Sequence, residues 1–155
     1  MRKLVTAPNK VLGILGRYVY VTKEEDFIRD LRRDLSRVMK KHKALGITAC
    51  QIGEAVDFFI INQHKLQGAK KFNYFINALA TGEGEKIDSE ESCLSIPGKA
   101  FKVKRYPKII VTSHMFNGET RKRTFTGLTA RCIQQEMDHV KGILLSDIGE
   151  CVREF

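Results

Sequence analysis

The 155-residue chain is 43% hydrophobic and 29% charged with three prolines, which excludes a disordered or low-complexity protein and suits one buried core, so a single domain over 1–155 is expected. Lys and Arg number 27 against 18 Asp and Glu, a formal charge of +9, yet clusters such as Lys40-Lys41-His42-Lys43 and Arg121-Lys122-Arg123 lack interleaved aromatics. A solvated basic surface is therefore expected and no specific nucleic-acid partner.

No apolar run reaches the roughly 20 residues of a membrane span, and the first residues lack a signal-peptide pattern. No membrane partner and a cytoplasmic setting are expected. Cys50, Cys93, Cys132 and Cys151 contain no C-x-x-C pair and are read as free thiols.

The first predicted element is an amphipathic helix near residues 23–43. Thr22 is its expected N-cap with Glu25 three positions on, and Phe27, Leu31, Leu35 and Val38 recur at helical spacing. Short β-rich runs follow around 56–61 and 72–76. Residues 80–89 are polar with two glycines and read as an exposed loop. Strands are expected at 103–106 and 109–112, parted by Pro107, and Asn117-Gly118 signals a hairpin leading into 120–126. A second helix is predicted over 129–141, with Ala130, Ile133, Met137 and Val140 as its apolar stripe and Gly142 just past its end. Strands bracketed by two helices indicate an α+β fold.

Three segments carry residues with chemistry. Gln135-Glu136-Met137-Asp138-His139 departs from the H-E-x-x-H metal motif at one position. Residues four apart share a helical face, so in that motif two imidazoles grip one metal beside a general base. Glu91-Ser92-Cys93-Leu94-Ser95 offers a lone thiol before Pro97-Gly98, and the small-residue stretch from Gly46 ends in Gln51. Each segment alone also reads as ordinary structure: a polar helix face, an inert buried cysteine, a tight connection.

In this order the segments resemble the peptide deformylase family, whose members carry G-x-G-x-A-A-x-Q, then E-G-C-L-S, then Q-H-E-x-D-H. The resemblance extends through Ile76-Asn77, Arg105 and Gly127-Leu128-Thr129 to Gly142-Ile143-Leu144. It implies antiparallel sheets around a central helix carrying the metal motif, with an N-terminal amphipathic helix. It implies a hydrolase that removes the formyl group from N-formylmethionine on newly made peptides. One divalent metal is implied, Fe²⁺ in bacteria, with Zn²⁺ or Ni²⁺ in a purified sample.

By matching positions, Cys93, His139 and residue 135 are the implied ligands and Glu136 the proton carrier. Gln51 and the Leu94 backbone N–H are the implied oxyanion donors. Gly46 and Ile47 are implied at the substrate, where Gly46 lets backbone approach closely, and Ile133 and Met137 either line the methionine pocket or pack the core. Glu91, Arg105 and Asp138 are implied to orient the ligands. N-formylmethionyl peptides, a transient ribosome contact and a monomer complete the expectation. A sequence ending at Phe155 is expected to lack the C-terminal helix by which many members dock on the ribosome.

Gln135 stands where the family has histidine, and a neutral amide oxygen suits Ca²⁺ or Mg²⁺ better than Fe²⁺ or Zn²⁺. Three arrangements stay open: Gln135 coordinates weakly, stands aside, or leaves a metal-poor site in a catalytically impaired, peptide-binding protein. His64 and His114 lie on other segments and are not expected to substitute. Milder departures are Ala44 and Ser92 for glycines, Thr48 for an alanine and Ala78 for a proline.

Overall fold

The computed structural model describes residues 1–70 and 73–155. After a 3₁₀ turn at Lys10–Gly13 come helix α1 (Glu25–Lys41), strand β1 (Gly46–Thr48), a second 3₁₀ turn (Ala49–Ile52) and β2 (Phe58–Ile61). Strands β3 (Tyr74–Glu83), β4 (Ile87–Cys93), β5 (Ile96–Arg105), β6 (Lys108–His114) and β7 (Thr120–Thr126) follow. The chain then forms α2 (Gly127–Val140), α3 (Leu145–Ile148) and β8 (Glu150–Glu154). One antiparallel sheet has the order β1-β2-β3-β6-β7 and the other β4-β5-β8, an α+β architecture as expected.

Strand β2 explains how the layers assemble. Side chains alternate across a strand, and all four of its residues are buried. Phe58 and Ile60 join a core with Ile28, Leu31 and Leu35 of α1. Phe59 and Ile61 join a second core with Ala130, Ile133 and Val140 of α2. The two helices thus cover opposite faces of the larger sheet, and each fully buried Phe or Ile contributes roughly 1.5–3 kcal/mol. A smaller cluster of Cys93, Phe101, Val103 and Leu145 seals the second sheet.

Helix α1 begins at Glu25, so Thr22 is not its cap. A turn intervenes, in which the Glu24 carboxylate accepts the Tyr20 backbone N–H at 2.8 Å and pairs with Arg17 at 2.6 Å. Its buried stripe centres on Ile28, while Phe27 lies half-buried beneath the Arg2 and Arg17 guanidiniums. The 80–89 stretch is mostly strand. Polar composition misled there because pairing with distant strands decides: residues 80–83 pair with β6 and 87–89 with β5, and the Tyr106 ring covers Gly82. Strand β8, which pairs with β5, had no signal in composition or period.

Helix α2 starts two residues before the expected Thr129 and ends as its glycine indicates. Gly142 at φ 75° donates to His139 O, and Ile143 N–H reaches Asp138 O, the paired bonds of a Schellman cap. The Asn117-Gly118 hairpin joins β6 to β7. The run at 72–76 is realised from Tyr74 onward, with Phe72 outside the described residues. All four cysteines are free thiols. Among the described residues no helix is long and apolar enough to cross a membrane.

The N-terminus is tied to α1 through Asp34. Burial pushes its carboxyl up, but hydrogen bonds from Arg37 and Arg2 outweigh burial and hold it at about 2. A folded-state value below the unfolded one (roughly 3.9) stabilises fully above about pH 4, and that contribution fades as pH falls toward 2. Asp34→Asn is expected to cost on the order of 2 kcal/mol at pH 7 and progressively less below pH 4, read by denaturant titration across pH.

Candidate metal and catalytic centre

Three elements converge on one cleft of about 610 Å³: β1 with the turn after it, the end of β4, and α2. Gly46 makes the approach of β1 to α2 tolerable. A Cβ there would lie 2.9 Å from Cys132 Sγ and 3.0 Å from Glu136 Oε1, so any larger residue would force those two side chains to shift. Gly46, Gln51, Cys93, Leu94, Gln135 and Glu136 all line the cleft.

Cys93 and His139 meet although 46 residues separate them: Sγ lies 3.2 Å from Nε2. The Ser95 backbone N–H donates to that sulfur at 3.4 Å. Gln51 Nε2 points at the same place, 3.6 Å from the sulfur and 3.1 Å from Ser95 Oγ, while its Oε1 accepts the Thr48 N–H at 3.0 Å. The Gln51 amide is thus fixed at both ends beside the thiol.

Burial sets the charge states. It pushes the Cys93 thiol up to about 12 and, with Arg105 adding repulsion, pulls His139 down to about 4. The pair is therefore a thiol and a neutral imidazole within hydrogen-bond distance of each other. The other ring nitrogen, His139 Nδ1, is buried with no partner. Glu136 is fully enclosed, and burial raises its carboxyl to about 8 against the opposing hydrogen bond from Thr48. Thr48 Oγ1 donates to Glu136 Oε2 at 2.6 Å, which pins the carboxyl. Thr48 was legible only as a departure from an alanine, and neither its partner nor Ser95's bond to Gln51 had a sequence signal.

Gln135 turns to Glu91: its Nε2 donates to Oε1 at 3.0 Å. Arg105, 5% exposed at its side chain, binds Glu91 at 2.8 Å and Asp138 at 2.6 Å. Glu91, Arg105, Asp138 and Gln135 therefore form one hydrogen-bonded group behind the thiol–imidazole pair. Asp138 enters it through Arg105 and does not line the cleft.

Other expected positions fall elsewhere. Ile47 is fully buried in the α1 core and does not line the cleft, because alternation along β1 turns it away from Gly46. Ile133 is core, and Met137 packs against the same core. His114 Nδ1 lies 3.0 Å from Asn77 Nδ2, and His64 sits on the loop after β2; neither lines the cleft.

A thiol and an imidazole in contact, with donor atoms of soft and borderline character, fit a shared transition-metal ion. Gln135 adds at best a hard amide oxygen. Among the described residues no group of three or more His, Cys, Asp and Glu could hold a metal ion. The donor set is a strong pair without a strong third member.

Comparison with known proteins gives a consistent picture. A family model described as polypeptide deformylase matches residues 1–152. A peptide deformylase of Prochlorococcus marinus (strain MIT 9312) is 38% identical over 128 residues, covering 82% of this chain and 64% of the relative. One from Dictyoglomus turgidum is 34% identical over 82% of this chain and 80% of its own length. The chain thus spans somewhat under two thirds of the Prochlorococcus relatives it matches, 64% in each of three strains. Among solved structures, a peptide deformylase from Synechococcus elongatus in complex with actinonin superposes with a TM-score of 0.84 at 29% identity, over 96% of this chain and 79% of that one. A probable peptide deformylase from Synechococcus phage S-SSM7 gives 0.83 at 26% identity, over 96% and 99%.

Proposed function

Because the chain belongs to the polypeptide deformylase family, we propose that it hydrolyses the formyl amide of N-formylmethionyl peptides with the help of one divalent metal. The observation that supports this most is the Cys93–His139 contact beside a buried Glu136 and a doubly anchored Gln51.

Cys93 and His139 would hold the ion, which supplies Lewis acidity toward a carbonyl and a water when bound. The remaining work falls to the chain. In its ionised form Glu136, steadied by Thr48, accepts a proton from the attacking water and returns it to the leaving amine; such transfers are worth roughly 10²–10⁴-fold. Gln51 Nε2 and the Leu94 N–H donate to the oxygen on which charge develops, about 2.7–4 kcal/mol for one well-placed donor. Strand β1 is an edge of the larger sheet and β4 an edge of the smaller, and both border the cleft. An extended peptide N-terminus can pair with either edge by main-chain hydrogen bonds.

A second reading has its own support. The Gln135–Glu91 bond engages the amide N–H and leaves at most a weak amide oxygen for a metal, so an impaired deformylase that binds peptide N-termini with little turnover fits the missing strong third donor. Formate release from a formyl-Met dipeptide, measured anaerobically with Fe²⁺, Ni²⁺ or Zn²⁺, separates the two. Metal-dependent turnover supports the enzyme, and peptide binding without formate supports the impaired form.

A further inference from the structure

A second cleft, of about 820 Å³, lies between the outer face of α1 and the loop after β2. Arg29, Arg32, Arg33, Arg37 and Lys40 come from α1 at spacings of three and four, which stacks them on one face over about 16 Å of helix. Lys43 and Lys65 close the other side, and no Asp or Glu lines the cleft. That is seven cations with no carboxylate among the described residues that form it.

Three of these charges are ion-paired from outside the cleft, Lys65 Nζ donates to Lys43 O at 3.0 Å, and among the described residues no carboxylate pairs with Arg32, Lys40, Lys43 or Lys65, so the lining keeps a net positive charge. Arg29, Arg33 and Arg37 are each held by a carboxylate three or four residues earlier, Glu25, Asp30 and Asp34, none of which lines the cleft. Arg37 Nη1 is buried without a partner. The Arg32 guanidinium stacks over Tyr74 at 4.8 Å and Phe116 at 5.5 Å and donates to Asn73 Oδ1, with no carboxylate bound. Side chains braced in this way lose little entropy when a row of anions arrives.

We propose that this cleft binds the phosphate backbone of RNA without regard to base sequence. A row of like charges along a concave surface matches a polyanion. A lipid surface is the poorer match, since membrane docking uses exposed apolar side chains and, among the described residues that line this cleft, the one apolar side chain, Met39, is 5% exposed. Lys43 lines both this cleft and the candidate catalytic one, so the two adjoin at that residue. The choice of RNA rests on the proposed function, since newly made peptides emerge at an RNA-rich assembly.

The test is fluorescence anisotropy of the full chain with a labelled 20-base-pair RNA duplex between 50 and 200 mM salt. Arg33, Lys40 and Lys65 are changed together to Gln, and Lys3, Lys10 and Lys122, exposed elsewhere on the chain, are changed together to Gln in a charge-matched control. The parent is expected to show a linear fall of log affinity with log salt. The cleft triple is expected to bind at least tenfold more weakly, with a slope shallower by about 2–3, at the roughly 0.7–0.9 expected per lost phosphate contact. The control is expected to lose less than threefold. Equal losses in both triples, no salt-dependent binding by the parent, or tighter binding to phosphatidylserine vesicles than to RNA would each overturn the proposal. Formate release without RNA binding would overturn it and leave the proposed function intact, and melting curves confirm that each triple folds.

Discussion

Glu136→Gln is expected to lower formate release by about 10²–10⁴-fold while the protein stays folded. The glutamine keeps the shape of the side chain and an oxygen for the Thr48 hydroxyl, so the 2.6 Å bond has a partner in the variant. A neutral group is also cheap there, because burial already raises the Glu136 carboxyl to about 8. What disappears is the capacity to take up and return a proton. Kinetics with a formyl-Met dipeptide, alongside a thermal melt and metal content, read the three consequences separately. Turnover within threefold of the parent would remove Glu136 from the reaction. A collapsed melt would instead show that the carboxyl holds α2 against β1.

Gln135→His is expected to raise metal retention at least tenfold, about 1.4 kcal/mol. Residue 135 precedes His139 by four positions, so both project from one face of α2. An imidazole there would add a third donor of the same class as His139. Glu91 Oε1, which now accepts the Gln135 amide, would accept a ring N–H, and the Arg105 bridge would hold that carboxylate in place. Such buried partners typically matter 10–100-fold for metal affinity or activity. Metal content after dialysis against a competing chelator measures the gain. Equal retention in both proteins would mean that residue 135 does not set metal affinity.

The helices and the hairpin were legible in the sequence because their signals are local. Ala130, Ile133 and Val140 face the core at helical spacing, and Gly142 stops α2 with the bonds its missing Cβ permits. The Asn117-Gly118 turn also depends on neighbours in sequence. Where a distant contact decides, sequence reading failed. Gly82 belongs to a strand because β3 pairs with β6 there, and α1 starts late because Glu24 accepts the Tyr20 N–H and meets Arg17.

The candidate centre divides along the same line. The motif order pointed to Cys93, Gln51, Glu136 and His139 together; Cys93, Gln51 and Glu136 line one cleft, and His139 meets Cys93 without lining it. It could not place Ile47, whose neighbour Gly46 occupies the cleft face of β1. Nor could it show that Thr48 secures Glu136 or that Gln135 donates to Glu91, since both bonds join residues far apart in the chain.

The account depends on a thiolate and an imidazole taking the same ion. Cobalt(II) added anaerobically reports this directly, because a sulfur ligand gives an intense near-ultraviolet charge-transfer band. The band is expected for the parent chain, lost in Cys93→Ser and weakened or shifted in His139→Ala. A parent chain that binds cobalt without the band, or a band that survives in Cys93→Ser, would contradict it.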